Sequence, residues 1–432
     1  MSMPARLCLA AVLAAGASSA IAEIYYVAPP PAGDDDHPGT LASPWATLQH
    51  AADTIGPGDI VQVRDGEYAG GYFETSGSAQ LPIVLENYPG ESPSIVEDNP
   101  TTPDGINLEG VSYMTVQGFT IVGRTRTGIR AVLGDHVTIR GNVLDANGFW
   151  GILTGFCDDL LIEGNIASRS GEQHGIYVSN SGDRPVIRGN TIFGNNANGI
   201  HMNGDGSQGG DGIISDAIVE DNVIYDNGVG GGSGINGDGV QDSLIRNNLI
   251  YDEHASGISL YRIDGGGPST GNRVLDNTVL IASDGRWALN IQDGAANTLA
   301  RNNILWNAHA VRGSVSISED SLPGFTNDHN AVIDRFTTDD GDSILTLAEW
   351  RQQTGLDANS FVSTPAALFV DAGGDDYRLS ATSPALDTGE TRPDVPTDIV
   401  GVARPQGAGF DIGAYEHPAA LPDEIFADGF DP

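Results

Sequence analysis

The stretch Ile139-Arg140-Gly141-Asn142-Val143 returns along the middle of the chain, each time as an apolar residue followed by polar or small residues that end in an Asn. The marker Asn occurs seven times, as Asn142, Asn165, Asn190, Asn222, Asn248, Asn277 and Asn303. Phe119 fills the same slot one period earlier. A fixed period of about 20 to 50 residues is typical of stacked-repeat architectures.

A second marker, Gly-Ile, recurs in the same repeats and begins at Gly128, Gly151, Gly175, Gly199, Gly234 and Gly257. Both markers lie in short strand-like segments separated by Gly, Asn and Asp. Their apolar residues are predicted to point inward. The marker Asn suits a tight corner, because Asn tolerates left-handed backbone angles and its amide can bond to the Asn of the next turn. The repeats therefore predict an all-β solenoid with strands about 4.8 Å apart.

The two ends of the chain depart from the repeat. Residues 23–75 are predicted to cap the first turn, with a helix over 44–55 that uses Ser43 as its N-cap. Residues 76–310 are predicted to form the solenoid, and residues 311–417 its last turns and an irregular C-terminal cap. Such caps are needed because open end turns expose apolar side chains and unpaired backbone groups.

The first 22 residues have the pattern of a secretory signal peptide, with Arg6 before an apolar run and small residues before Glu23. No later apolar stretch is long enough to span a bilayer. Residues 418–432 combine acids with phenylalanines and are predicted to be a flexible acidic tail. Cys157 is the only cysteine after the signal, which excludes an internal disulfide. We therefore expect a secreted protein, and we expect a monomer.

The charge of the chain excludes several classes of partner. It has no lysine, 58 acidic residues and a formal net charge of −38. Such a field repels nucleic acid and anionic membranes. A polyanionic sugar is compatible with it only where arginines or divalent cations concentrate positive charge.

Several segments resemble those of one family of proteins. The opening Tyr25-Tyr26-Val27 and residues 38–48 resemble the first segment of secreted β-helix polysaccharide lyases. The closing residues 411–416, DIGAYE, resemble a C-terminal segment of exported bacterial β-helix proteins. Over residues 24–417 the chain resembles the right-handed parallel β-helix proteins of the pectate-lyase-like superfold. The resemblance implies a right-handed helix with a polysaccharide substrate or ligand.

Members of this superfold include polysaccharide lyases, hydrolases and epimerases, as well as adhesins and surface proteins. Several of its calcium-dependent lyases use a Lys as the base. Because this chain contains no lysine, that version of the reaction is excluded here.

Aligning the turns on Gly-Ile gives two outward columns, formed by the first and third residues after each Ile. The first column reads Arg130, Leu153, Tyr177, His201, Asn236 and Ser259. The second reads Val132, Gly155, Ser179, Asn203, Asp238 and Tyr261. The central turns replace apolar and small residues by aromatic, polar and ionisable ones, and His174 and Arg262 lie at the edge. This patch is the predicted functional site.

Two long insertions, residues 204–215 and 262–272, leave the repeat directly after the polar columns. They are expected to flank the turn that carries Asn236 and Asp238, and so to enclose a groove. Binding residues favour such loops on a rigid scaffold.

A uronate lyase must neutralise the sugar carboxylate, remove the C5 proton and protonate the leaving oxygen. The candidates are Arg262, Asn203 or Asn236 for the carboxylate, His201 or Tyr177 for the base, Tyr261 or Tyr177 for the acid, and His174 and Ser259 for substrate binding.

Other functions remain open at this point. Asp205 and Asp238, with Asp211 and Asp264, are close enough in the alignment to bind Ca²⁺, although turn-forming Asp-Gly pairs explain three of them equally well. The same aspartates suit a glycoside hydrolase, and a uronan epimerase would use the same face. The alternative from another class is a non-catalytic carbohydrate-binding or cell-surface protein that uses the solenoid as a stiff scaffold.

Overall fold

The computed structural model describes residues 22–418. The predicted signal peptide, apart from Ala22, and the predicted tail, apart from Pro418, lie outside these residues. Within them, three parallel sheets run along one axis, and each turn of the chain adds a strand to each sheet. The predicted all-β fold, a right-handed parallel β-helix, is confirmed.

The sheets are named here by their order within a turn. The strands of the first sheet are Ile24–Val27, Ile60–Val63, Ile83–Asn87, Met114–Gln117, Thr138–Arg140, Leu161–Glu163, Val186–Arg188, Ile218–Glu220, Leu244–Arg246, Arg273–Leu275, Leu299–Arg301 and Thr326–Asp328. The strands of the second sheet are Glu67–Ala69, Ser94–Glu97, Thr120–Val122, Val143–Asp145, Ile166–Ser168, Thr191–Phe193, Val223–Tyr225, Leu249–Glu253, Thr278–Ile281, Ile304–Asn307, Ala331–Val332 and Phe361–Val362.

The third sheet contains the Gly-Ile markers and is called the Gly-Ile sheet. Its strands are Gly71–Phe73, Asp104–Glu109, Thr127–Val132, Trp150–Gly155, Ile176–Ser179, Ile200–Asn203, Ser233–Asp238, Ser256–Tyr261, Leu289–Ile291, Val315–Ile317 and Phe336–Thr337. Two small sheets pair Ile214–Ser215 with Val240–Gln241 and Phe369–Asp371 with Asp376–Leu379. The helices are Leu48–Thr54, Leu347–Thr354 and Pro365–Leu368, with short 3₁₀ segments at Gly206–Gln208, Glu319–Ser321 and Ala372–Gly374.

The marker Asn residues form a continuous ladder between the first and second sheets. The side-chain oxygen of Asn222, for example, accepts from the backbone N–H and the amide of Asn190 at 3.0 and 2.9 Å. The amide of Asn222 donates to Asn248 and to the Ile187 carbonyl, both at 2.9 Å. The same contacts run from Asn142 to Asn330. The ladder therefore satisfies buried backbone groups at the same corner of every turn.

The left-handed backbone at this corner belongs to the residue before the ladder Asn, not to the Asn. Gly141 has φ of 61°, Asp221 57° and Asn247 52°. The expectation that the marker Asn itself adopts this conformation is therefore wrong. The ladder Asn needs an ordinary backbone so that its amide can point along the axis, and the tight bend falls on a preceding Gly, Asp or Asn.

The Gly of each Gly-Ile marker is explained by the core. A Cβ on Gly199 would lie 2.6 Å from Ile224 Cγ2, a buried side chain of the second sheet. The Gly and the Ile therefore both face inward, which breaks the usual alternation of a strand. The Ile of all six predicted markers is fully buried, a gain of about 1.5 to 3 kcal/mol for each. As a consequence, the residue before the Gly faces outward.

The capping helix is shorter than predicted. It spans Leu48–Thr54, and Thr47, not Ser43, is its N-cap, with Oγ1 accepting from the His50 N–H at 3.1 Å. The preceding residues cannot join it, because Trp45 pairs with Val27 of the first strand. The helix buries Leu48, Ala51 and Ala52 against the first turn. No helix in residues 22–418 is long and apolar enough to cross a membrane.

Candidate active site

The strand register brings most of the predicted site residues together. Tyr177, His201, Asn236 and Ser259 are direct neighbours on four successive strands. Asn203, Asp238 and Tyr261 form the parallel column. The two columns lie on the outer face of the Gly-Ile sheet, so residues separated by more than 80 positions share one surface.

Three rings stack along the axis of the solenoid at the head of this surface. Trp150 and Tyr177 have centroids 5.9 Å apart, and Tyr177 and His201 have centroids 5.1 Å apart, with interplanar angles of 18° and 23°. The indole N–H of Trp150 has no hydrogen-bond partner in the described chain. The stack holds the rings of Tyr177 and His201 in fixed orientations.

A chain of hydrogen bonds determines which nitrogen of His201 carries the proton. The backbone N–H of Asn198 can only donate, and it donates to Nδ1 of His174 at 3.2 Å. Neutral His174 must then hold its proton on Nε2, which lies 3.0 Å from Nδ1 of His201. Nδ1 of His201 accepts this bond, so neutral His201 carries its proton on Nε2.

Neutral His201 is therefore a hydrogen-bond donor at Nε2. Burial lowers its pKa to about 4. Burial also lowers the pKa of His174, followed by the effect of His201 beside it. Nε2 of His201 is buried and has no hydrogen-bond partner among residues 22–418. A base at Nε2 of His201 needs a free lone pair on that nitrogen. This would place the protons of both His201 and His174 on Nδ1, where the Asn198 N–H already donates to His174. The arrangement therefore opposes His201 as a base at Nε2.

The hydroxyl of Tyr177 accepts a bond from the Asn203 amide at 3.1 Å. Burial raises the pKa of Tyr177, the Asn203 bond lowers it in part, and the charges of Asp205, Asp264 and Asp238 raise it further. The hydrogen bond from the Asn203 amide stabilises a phenolate at this position, whereas burial and the three nearby aspartates destabilise it.

Tyr261 lies three strands beyond Tyr177, about 14 Å along the axis at a strand spacing of ~4.8 Å. Burial and the neighbouring Asp238 raise its pKa to about 12. Its position beside Ser259 and Asn290 places it in a different part of the face from His201. This separation argues against Tyr261 as the acid for a bond held at Tyr177, and in favour of a role in binding.

Asp238 anchors a loop. Its carboxylate accepts the backbone N–H groups of Ile263, Asp264 and Gly265 at 2.9, 2.8 and 3.0 Å, and the residue is 2% exposed. Asp205 caps the short Gly206–Gln208 segment by accepting from the Ser207 N–H. No group of three or more His, Cys, Asp or Glu in residues 22–418 is arranged to hold a metal ion. Asp238 and Asp205 both accept backbone N–H groups of the two long loops.

The two long insertions pack against each other. Asp205 pairs with Gly265, and the Gly266 N–H donates to the Gly212 carbonyl at 2.8 Å. A Cβ on Gly266 would lie 2.0 Å from the Asp211 carbonyl oxygen, which shows how close the two loops are. The expectation that they flank a groove from two sides is wrong, because they meet over Asp238 and form a single wall. Arg262 is exposed at the start of this wall, and its Nε donates to Gly265 in the same loop.

Two concave regions lie along the face, one before and one after His201. The N-terminal groove has a volume of about 430 Å³ and is lined by apolar and aromatic side chains together with ion-paired arginines, among them Trp150, Leu153, Phe156, Tyr177, Arg126, Arg130, Glu109 and Asp205. The C-terminal groove has a volume of about 520 Å³ and is lined by Ser233, Asn236, Ser259, Tyr261, Arg286, Trp287, Asn290, Asp293, Arg312 and Asp340 among others. Both are in the size range of small-molecule sites.

Several of these residues were not predicted from the sequence. Trp150 and Asn198 occupy the position before the Gly of the marker, as does His174. Arg286 and Arg312 lie three residues before the inward residue of their strands. A third column, read at the position before the Gly, would have found Trp150 and Asn198.

Two family models match adjoining segments of the chain. Residues 25–157 match the model described as Pel9A-like, right handed beta helix region. Residues 151–328 match the model described as Right handed beta helix region. Comparison with curated proteins gives no match.

Solved structures share the fold at low sequence identity. Pectate lyase Pel9A is 16% identical, with 91% of this chain and 96% of that chain covered and a TM-score of 0.57. The complex of XylC with xylose is 11% identical, with 91% and 98% covered and a TM-score of 0.55. An alginate lyase from Paenibacillus sp. str. FPU-7 is 20% identical, with 66% and 95% covered and a TM-score of 0.49. At these identities the likeness to pectate lyase Pel9A and to XylC shows the fold.

Proposed function

Because this chain is a right-handed parallel β-helix protein of the pectate-lyase-like superfold, we propose that it is an exported, monomeric enzyme that acts on polysaccharides. Its reaction is β-elimination in a polymer that contains uronate. The observation that carries this proposal is the ordered pair of Tyr177 and His201, in which Asn203 donates to the phenol and the chain through His174 leaves the His201 Nε2–H without a partner in the described chain.

Each requirement of the elimination has a group on this face. The His201 Nε2–H and the Asn236 amide donate to the sugar carboxylate, which acidifies the C5 proton. The Tyr177 phenolate, stabilised by Asn203, takes that proton. The electron pair of the C5–H bond forms the C4–C5 double bond, and the C4–O bond breaks. The same Tyr177 hydroxyl then returns its proton to the leaving oxygen, which restores the phenolate.

The pH dependence follows from these groups. His201 is neutral above about pH 4, so the donor at Nε2 is retained across the neutral range. The reactive form of Tyr177 is the phenolate, and its pKa lies above the ordinary value of 10.0. We therefore expect kcat/KM to rise with pH towards the alkaline range.

A second candidate function is carbohydrate binding without catalysis. The aromatic lining of the N-terminal groove by Trp150 and Phe156 suits stacking on sugar rings. The raised pKa of Tyr177 opposes its use as a base at neutral pH. A hydrolase has less support, because Asp238 is occupied by three backbone donors.

The test is an assay of the full chain with pectate, alginate and glycosaminoglycans at pH 6 to 10, with calcium and with chelator. Elimination produces an unsaturated sugar that absorbs in the ultraviolet. New reducing ends without that absorbance would indicate a hydrolase, and a changed sugar configuration by NMR would indicate an epimerase. Binding with no product of any kind would support the second candidate. His201→Ala should lose activity, while Tyr225→Phe, in a ring stack on the second sheet, should retain it.

A further inference from the structure

The C-terminal groove contains two guanidinium groups with no carboxylate partner. Arg286 and Arg312 both line this groove. Within residues 22–418 neither forms an ion pair, although most arginines in that range do, among them Arg124, Arg126, Arg130, Arg246 and Arg404. The Arg312 side chain donates to the Gly285 carbonyl at 3.1 Å, and Arg286 is exposed.

The two arginines precede neighbouring strands in adjacent turns. Leu289 pairs with Val315, and each arginine lies three residues before its member of that pair. Arg335 follows in the next turn, also without a carboxylate partner in the described chain, and its Nη2 donates to the Asn307 carbonyl at 3.0 Å. Like charges in adjacent turns repel each other. An anion bound between Arg286 and Arg312 would offset that repulsion.

The acids in the same groove do not neutralise the pair. Asp293 and Asp340 line it as well. The ion pairs of residues 22–418, defined by nitrogen and oxygen within 4.0 Å, include neither of them. The arginines therefore remain able to bind a carboxylate brought by a ligand.

The N-terminal groove is built differently. Arg126 forms a two-point pair with Asp104, which is fully buried, and Arg130 pairs with Glu109. Its remaining lining is largely aromatic and aliphatic, with Trp150 and Leu153. The positive charge of this groove is thus already matched within the protein, and its surface favours the apolar face of a sugar ring.

We propose that Arg286 and Arg312 form an anionic-sugar subsite that binds a hexuronate carboxylate a few sugar units away from the bond held at Tyr177 and His201, while the N-terminal groove accepts a sugar by stacking. The strand that follows Arg286 lies three strands beyond His201, about 14 Å along the axis. This inference rests on the proposed function in one respect, namely that the polysaccharide occupies the Gly-Ile face.

The test measures binding and does not depend on turnover. Oligogalacturonates, oligomannuronates and the carboxyl-reduced, neutral form of each are titrated by calorimetry at low and high salt. The proteins are the Tyr177→Phe variant and the same variant with Arg286→Gln and Arg312→Gln. Loss of two charge-assisted contacts should weaken binding of an acidic oligosaccharide at least about 10-fold. Binding of the neutral forms should change less than about 2-fold, and the salt dependence should decrease. Comparison of the oligogalacturonate and oligomannuronate titrations shows which hexuronate the subsite prefers.

Two controls separate charge from folding. Arg140→Gln removes another arginine that lacks a carboxylate partner, on the outer side of the first sheet, where its Nε donates to Gln117, and should leave binding unchanged. Arg286→Lys with Arg312→Lys keeps the charge and should retain more affinity than the Gln pair. Thermal melts of all variants verify the fold.

The outcomes separate this inference from the proposed function. Equal affinity of the Gln pair and its parent for acidic oligosaccharides would overturn the subsite, even if wild-type protein produces unsaturated sugars. An equal loss for neutral and acidic forms would overturn it too, since shape and not charge would then be responsible. Selective loss for the acidic forms supports the subsite, even if no elimination product is ever detected.

Discussion

The Asn ladder and the columns of the Gly-Ile face have the same geometry and opposite chemistry. In the ladder, one residue type is repeated in eight turns, from Asn142 to Asn330, and each amide bonds its neighbour. On the Gly-Ile face the residue changes at every turn, from Tyr177 to His201 to Asn236. Polar atoms there, such as His201 Nε2 and Asn203 Oδ1, are left without partners in the described chain.

This difference shows which part of the solenoid lowers the stability of the fold. A buried polar atom without a partner costs about 1 to 3 kcal/mol. The ladder avoids that cost at every turn, whereas the Gly-Ile face accepts it next to the ordered His174–His201 pair. Violations of an otherwise consistent pattern are expected at functional sites. The repeat therefore provides the scaffold, and its interruption marks the site.

The largest expected effect is that of Tyr177→Phe. It removes the hydroxyl that the proposed elimination uses but keeps the ring that stacks between Trp150 and His201. We expect kcat/KM to fall by about 10² to 10⁴, with little change in the melting temperature. Initial rates on the polymer that tests positive, measured from pH 6 to pH 10, check this. Full activity in the variant would remove Tyr177 from the chemistry.

A mutation in the ladder should lower stability and leave catalysis unchanged, which is the opposite of the effect expected for Tyr177→Phe. Asn222→Ala removes the acceptor of the Asn190 N–H and the donor to the Ile187 carbonyl. Unfolding free energy should fall by about 3 to 4 kcal/mol, while kcat of the folded protein stays the same. Urea unfolding followed by circular dichroism checks this. Asn196→Ala is the control, because its exposed amide makes only one bond, to the Glu172 carbonyl, and it should cost less than about 0.5 kcal/mol.

Sequence periodicity was sufficient to predict the fold and the two outward columns, because strand register in a solenoid depends only on the position of each residue relative to the inward one. It placed His201 beside Tyr177 and Asn236, as the structure does. It also identified the ladder, since a repeated Asn at a corner has one physical use. These features need no knowledge of side-chain rotamers.

Other features of the site depend on local bends of the backbone, and the inward and outward alternation of residues along a strand does not predict them. The inward Gly reverses the alternation, so Trp150 and Asn198 point outward against the simple rule. Arg286 and Arg312 lie in corners of variable length, where the period gives no position. The contact of the two long loops depends on how each folds back, and so does the anchoring role of Asp238.

A second ladder offers a pH-dependent comparison. The Asn195 amide donates to Asn227 at 2.8 Å, and the Asn227 amide donates to Glu253 Oε1 at 2.9 Å. Glu253 is fully buried, and burial raises its pKa to about 8. Between its ordinary value of 4.5 and about 8, the folded protein holds a proton that the unfolded chain has lost. Stability should therefore decrease as pH rises through this window.

Glu253→Gln replaces this acid by the amide that the ladder uses elsewhere. The variant should match wild type near pH 5 and become more stable than it by on the order of 2 kcal/mol at pH 7. Urea unfolding at pH 5, 6, 7 and 8 checks this. A constant difference over this range would mean that Glu253 is ionised in the folded protein throughout.

The smallest effects are expected where the columns meet the loops. Asp238→Asn removes the charge and replaces one of the two oxygens that accept three backbone N–H groups, and should cost about 1 to 2 kcal/mol of unfolding free energy. Asp205→Asn should cost less than about 0.5 kcal/mol, because Asn caps a helical turn as well as Asp does. Neither variant should change the melting temperature shift caused by adding calcium. A calcium shift that disappears in both would show that these carboxylates bind the ion together, and that the loop wall is a metal site instead of a scaffold.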